Sequence, residues 1–162
     1  MREIEVSRDH GPVDLKEIEN FEKLIGYRFP EIYRDILSKH NALYPRTPDF
    51  KFFDRVSGQH IFRDVTFYGF GDSLPTYLQI DRAQDMDAYG HEGLVIFGTS
   101  ANGDYVCFDY SSDPRTDNPK VVAMFHDYPD ENDKMLVNFV ASSFEEFLDL
   151  LQKVDSLPPL EN

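Results

Sequence analysis

An α+β fold built on an antiparallel sheet is what this sequence predicts, and three observations carry the prediction. Apolar spacing is helical up to about His40, alternating through the middle of the chain, and helical again near its end. The connections between successive strand-like runs are short, which joins neighbours antiparallel. Asn102-Gly103 lies between two such runs in LVIFGTSANGDYVCFDY, Leu94 to Tyr110, and is a strong hairpin signal because both central positions of a type I′ turn take positive φ.

Taken in order, Asp14 followed by Glu17 reads as a capping box, and Leu15, Ile18, Phe21, Leu24 and Ile25 form an apolar stripe ending at Gly26. A first helix therefore spans about 14 to 25. Pro30 stands where helices favour their first residue, and Ile32, Tyr33, Ile36 and Leu37 carry a second helix to about His40. Pro45 and Pro48 mark a loop, after which FKFFD and the alternating HIFRDVTFYGF read as two strands. Pro75 followed by TYLQIDRAQDMDAY opens a third helix within residues 72 to 90.

A two-residue loop at Asn102-Gly103 sets Ala101 against Asp104, Thr99 against Val106, Phe97 against Phe108 and Val95 against Tyr110. That face is core. The opposite face carries Ile96, Gly98, Ser100, Tyr105, Cys107 and Asp109, a mixture that calls for partial cover. KVVAMFHD and KMLVNFVA supply two further strands. Ser142 or Ser143, with Glu145 or Glu146 three residues on, caps a last helix whose apolar face is Phe144, Phe147, Leu148 and Leu151.

At 162 residues the chain has the length of one domain, expected over residues 1–155, with 156–162 as a flexible tail. Cys107 is the sole cysteine, so no intrachain disulfide forms, and its strand position makes it a core residue. MREIEVSRDH has acids where a signal peptide needs a basic then apolar run, and no apolar stretch approaches the roughly 20 residues of a membrane span. The expectation is a cytoplasmic protein without membrane contact.

The net charge of −14 is one-sided. Residues 1 to 63 hold eleven acids and eleven bases, whereas residues 64 to 162 hold nineteen acids and only Arg82, Arg115, Lys120, Lys134 and Lys153. Such a field disfavours nucleic acid, which needs a basic surface; it fits an acidic surface that serves solubility, and also a basic protein partner steered by charge. Strands in a meander alternate direction, so the loop from Asp127 to Asp133 returns to the Asn102-Gly103 end of the sheet. An acidic rim of Asp104, Asp127, Asp130, Glu131 and Asp133 is expected there, with Tyr105, Tyr110 and Tyr128 as aromatic anchors.

No catalytic or cofactor motif emerges. The five histidines, His10, His40, His60, His91 and His126, lack metal-ligand spacing. In Asp81 to Glu92 a calcium-loop pattern fails because Met86 replaces the turn glycine and Ala83 replaces a ligand. GFGDS at 69–73 lacks the lysine of a phosphate loop. Asp109 with Asp127 as an acid/base pair is outweighed by solvated roles for both. The expectation is a non-enzyme that needs no cofactor.

IENFEKLIGYRFPEIYRDILSKHNA, Ile18 to Ala42, resembles the opening signature of the SUKH superfamily of Smi/Knr-type domains through Glu22, Gly26, Pro30, Tyr33, Leu37 and Asn41. The second signature, strand, Gly-Asp turn and strand, is matched through Gly103, Asp104 and Asp109, and VVAMFHD and ASSFEEFLDLL resemble the later strand and terminal helix. The resemblance covers about residues 14 to 152. Where the family often has glycines after the asparagine, this chain has Ala42 and Leu43, and it has no tryptophan. The resemblance implies a curved antiparallel sheet of about five to six strands flanked by helices. It also implies a bacterial immunity protein that binds and neutralises a cognate toxin, often a nuclease, in polymorphic or contact-dependent systems. The other role known in the family is that of a non-catalytic regulator of cell-wall synthesis and signalling. Under the immunity reading the toxin-binding residues are Asp104, Tyr105, Asp127, Tyr128, Asp130, Glu131 and Asp133.

Overall fold

The computed structural model describes residues 3–154, and the expected tail at 156–162 lies outside them. Helix α1 (Leu15–Ile25) is capped by the Asp14 carboxylate, which accepts from Lys16 N–H at 2.9 Å, and ends at Gly26, whose φ of 81° is the left-handed conformation glycine supplies without strain. Its buried face is not the whole apolar stripe: Ile18 and Phe21 are buried, whereas Leu24 is 77% exposed. Glu22 is buried in their place. One carboxylate oxygen accepts from Phe29 N–H at 2.7 Å and the other lies 3.7 Å from Arg34. A charge buried this way fixes the turn into α2 (Glu31–Lys39), whose Tyr33, Ile36 and Leu37 face inward.

After α2 the chain forms β2 (Tyr44–Pro45), which pairs with β1 (Val6–Arg8), and then the ribbon β3 (Asp49–Asp54) and β4 (Gln59–Asp64). HIFRDVTFYGF is therefore not one strand. It leaves the ribbon at Val65, whose N–H bonds Pro48 O, and joins the main sheet as β5 (Thr66–Phe67). Strands β6 (Leu94–Thr99), β7 (Tyr105–Asp109), β8 (Lys120–Pro129) and β9 (Met135–Ala141) complete a five-stranded antiparallel sheet in sequence order. The last helix, α5 (Phe144–Leu150), is capped by Ser143, which accepts from Glu146 N–H at 3.1 Å.

The hairpin register differs from expectation at two points. Gly103 N–H donates to Ser100 O and Ser100 N–H to Asp104 O, so the loop holds three residues, and only Gly103, at 91°, has positive φ. A bulge at Phe97 then shifts the pairing again, from Gly98 opposite Val106 to Ile96 opposite Cys107 and Val95 opposite Phe108. The two shifts offset each other in side-chain facing. Phe97 still stacks on Phe108, with ring centroids 4.2 Å apart, and the residues that change faces are Gly98, Thr99 and Ser100. Gly98 is needed because β5 crosses close by: a Cβ there would meet Val65 at 2.8 Å and Thr66 O at 3.0 Å.

One face of the sheet meets the helices through an aromatic core. Tyr33 sits among Phe97, Phe108 and Phe144 at 5.9, 5.1 and 5.4 Å, and Phe147 reaches both Phe97 and ribbon residue Phe50. The opposite face is partly covered, as its mixed composition calls for: Ile96 and Cys107 are buried, while Tyr105 and Asp109 are half-buried. Residues 72–90 provide that cover, not as one helix but as a 3-10 turn (Thr76–Leu78) and the short α3 (Ile80–Ala83) and α4 (Met86–Tyr89). Gln84 explains the break. Its side chain donates to Ile96 O at 2.7 Å and accepts from Ile96 N–H at 3.0 Å, replacing the strand neighbour that β5 is too short to provide.

Two tyrosines with similar burial should respond oppositely to loss of their hydroxyl. Tyr33 Oη is buried without a partner among the described residues, and burial pushes its pKa well above the ordinary value, whereas Tyr110 donates to Arg28 O at 2.5 Å. In urea unfolding, Tyr33→Phe should cost nothing or stabilise, while Tyr110→Phe should cost about 1–2 kcal/mol. Replacing Gln84 by leucine should cost about 1–3 kcal/mol and accelerate amide exchange at Ile96; unchanged Ile96 protection would contradict the clamp.

Candidate interaction site

The acidic end of the sheet is organised from below by Asp104, which is 5% exposed and lies beneath the rim rather than on it. One of its carboxylate oxygens accepts from Arg63 Nε at 3.1 Å and Asn102 Nδ2 at 2.9 Å. The other accepts from His126 N–H at 3.1 Å and lies 2.7 Å from His126 Nδ1. The hairpin places Asp104 directly after Gly103, and β8 carries His126 alongside. The Asp104 carboxylate thus ties the 101–103 turn to β4 through Arg63 and to β8 through His126. The second ring nitrogen of His126 lies 3.1 Å from the Asp127 carboxylate, whose side chain is 73% exposed.

Beyond Asp127, Tyr128 is half exposed with its ring 6.1 Å from that of Phe125. The hairpin then turns through 130–134. Asp130 builds this turn, accepting from Asn132 N–H at 2.8 Å and Lys134 N–H at 3.0 Å, while His91 stands 3.9 Å away. Its carboxyl is held below the ordinary 3.8, chiefly by the Lys134 N–H, with partial desolvation opposing and the Asn132 N–H adding to the effect. Glu131 and Asp133 are exposed at the tip, where Asp133 adopts a left-handed φ of 62°. The aliphatic stem of Lys134 runs back over Gly90.

The sequence-named residues therefore divide. Asp127, Tyr128, Glu131 and Asp133 present themselves to solvent, while Asp104 and Asp130 use their carboxylates to hold the backbone. Tyr105 is half-buried on the opposite sheet face, lining a groove of about 380 Å³ with Tyr68, Tyr77, Gln79 and Arg82. Tyr110, expected as an anchor, is fully buried at the other end of β7. Asp109 pairs with Leu94 and Lys120 at that same far end, so it cannot act with Asp127. Among the described residues no group of three or more His, Cys, Asp or Glu is placed to hold a metal ion, and no helix is long and apolar enough to cross a membrane. Sequence reasoning missed the exposed aromatics Phe53 and Phe139; the signal was available, since both occupy outward positions of alternating strands.

Residues 12–150 match the family described as SMI1 / KNR4 family (SUKH-1). The chain belongs to the SMI1 / KNR4 family. No curated protein and no solved structure matches it significantly. SMI1 / KNR4 domains are immunity-protein-like and generally non-catalytic binding domains. The residues that carried the resemblance have physical roles in this SUKH domain. Glu22 fixes the turn between α1 and α2, Tyr33 fills the centre of the core, and Asp104 pins the hairpin. Asn41 donates to Phe70 O and accepts from Phe70 N–H, both at 2.9 Å, joining the end of α2 to the segment after β5. Ala42, where a glycine is frequent in the family, stands at a φ of 51°.

The two kinds of aspartate should separate by stability. Asp104→Ala leaves His126 and Arg63 without their shared acceptor and should cost about 3 kcal/mol, whereas Asp127→Ala at the exposed rim should stay within about 0.5 kcal/mol in urea unfolding. Because the pKa of Asp130 is depressed in the folded state, its contribution is full above the unfolded value and is lost as pH falls through the folded one. The Asn132 and Lys134 amide resonances should therefore titrate with a midpoint below 3.8, and Asp130→Asn should abolish that step.

Proposed function

We propose that this SMI1 / KNR4 domain is an immunity protein that neutralises a basic cognate toxin, of which a nuclease is the fitting class, by direct binding through the acidic end of its sheet. The observation that carries the reading is the presentation of Asp127, Glu131 and Asp133 with Tyr128 on one hairpin arm, backed by side chains already committed to the fold. Acids held this way need little ordering on binding, which raises the return on each contact. A toxin groove lined with lysine and arginine to hold phosphates meets complementary charge here, and the net charge of −14 steers the encounter. Tyr128 adds an amphipathic ring of the kind enriched where interfaces concentrate their binding energy. Family membership agrees with a binding role.

Co-expression with the product of the neighbouring gene tests the role itself: rescue from toxicity supports it, and lack of a toxic neighbour favours the regulatory branch of the family. Reversing Asp127, Glu131 and Asp133 together to lysine should lower the association rate with that toxin by roughly tenfold at low salt and flatten its salt dependence. Unchanged association kinetics would move the contact surface away from the rim.

A further inference from the structure

A second surface has the opposite character. Four large hydrophobic residues are left exposed on the β3–β4 ribbon and the adjoining β9: Phe53 at 49%, Val56 at 48%, Phe62 at 41% and Phe139 at 54%. Between ribbon and strand runs a groove of about 440 Å³, lined by Lys51, Phe53, Arg55, His60, Phe139 and Val140, with Phe52 at its floor. Its charged lining is cationic, and among the described residues no carboxylate lines it, although the protein carries −14 overall. Clustered exposed rings of this kind mark interaction surfaces more often than chance exposure does.

The walls are set in advance. Arg55 donates to Val137 O at 2.6 Å, and fully buried Asn138 accepts from Arg55 N–H at 3.1 Å and donates to Asp54 at 3.2 Å, so the ribbon is tied to β9 by polar bonds. Phe53 and His60 face each other across the ribbon with ring centroids 5.5 Å apart, and Lys51 Nζ stands 6.0 Å from the Phe62 ring. Aromatic walls with cations at the margin form a receptor for an apolar side chain flanked by negative charge.

We propose that this groove docks a short acidic segment of a partner protein, whose apolar or aromatic side chain enters between Phe53 and Phe139 while its flanking carboxylates pair with Lys51 and Arg55. Charge complementarity selects that occupant. An extended anionic surface, whether lipid or nucleic acid, would meet the repulsion of the whole molecule with only two cations to offset it, whereas a short segment meets the local field alone. A second copy docked face to face would set Lys51 and Arg55 against the same cations. This surface is distinct from the acidic rim, so the protein would hold partners of opposite charge at two places.

The test is an NMR titration of the full-length, ¹⁵N-labelled protein with a synthetic heptapeptide of glutamates and aspartates around a phenylalanine and a leucine, beside a counterpart with lysines for the acids. Shifts confined to residues 51–56, 59–62 and 137–140 with the acidic peptide alone are expected, and Phe139→Ser and Lys51→Glu should each weaken binding about tenfold. Both side chains are outward-facing, and the wild-type shift map stands even if one variant is impaired. Absence of shifts at these residues, shifts centred elsewhere, or equal binding of the lysine peptide would overturn the proposal. So would binding of the protein to phosphatidylserine vesicles through these residues, or a dimer in sedimentation that Phe139→Ser dissolves.

Discussion

The packing of Tyr33 against Phe97, Phe108 and Phe144 is the constraint on which the rest of the structure depends. Helix α2, strands β6 and β7 and helix α5 each contribute one ring, and all four are no more than 1% exposed. Rings of this size bring the largest apolar area per residue, so the contact fixes both the distance and the orientation of helices relative to sheet. The bulge at Phe97 follows from it. The three-residue loop would turn Phe97 away from Phe108, and the extra residue in β6 brings the ring back at the expense of one ladder position.

Around that apolar centre, buried and half-buried polar side chains take over where regular hydrogen-bond ladders stop. Gln84 stands in for a missing strand neighbour at Ile96, Asn41 does the same at Phe70, Glu22 holds Phe29 N–H, and Asp104 holds the N–H of His126. Each lies at the end of an element, where backbone groups would otherwise be buried unpaired at a cost of about 1–3 kcal/mol. Because these side chains are occupied within the fold, the acids left for a partner are those at the hairpin tip. The division between Asp104 and Asp127 is thus a consequence of construction: the first holds the turn that lets the second be presented.

Two faces with opposite chemistry follow from the uneven charge along the chain. The β8–β9 tip draws on the acidic second part of the sequence, and the β3–β4 ribbon on the balanced first part. Ribbon and sheet meet at β9, where Arg55 and Asn138 join them, so the cationic aromatic groove and the acidic tip both adjoin β9 without sharing residues.

By itself the sequence determined the α+β class, the order of α1, α2, β6 to β9 and α5, the cap at Asp14 and a serine cap at 142 or 143, and the return of the acidic loop to the Gly103 end. These depend on spacing, capping chemistry and alternation, which are local. It also carried the family resemblance through Glu22, Tyr33, Asn41 and Asp104, residues that pack or hydrogen-bond within this fold. Only the tertiary structure decided the loop length, the bulge, the broken cover over residues 72–90 and the burial of Asp104 and Tyr110. A register is chosen by which rings must meet, and a carboxylate is surface or core according to which donors the fold brings to it. Arg63, Asn102 and His126 reach Asp104 from three parts of the chain, and no spacing rule joins them.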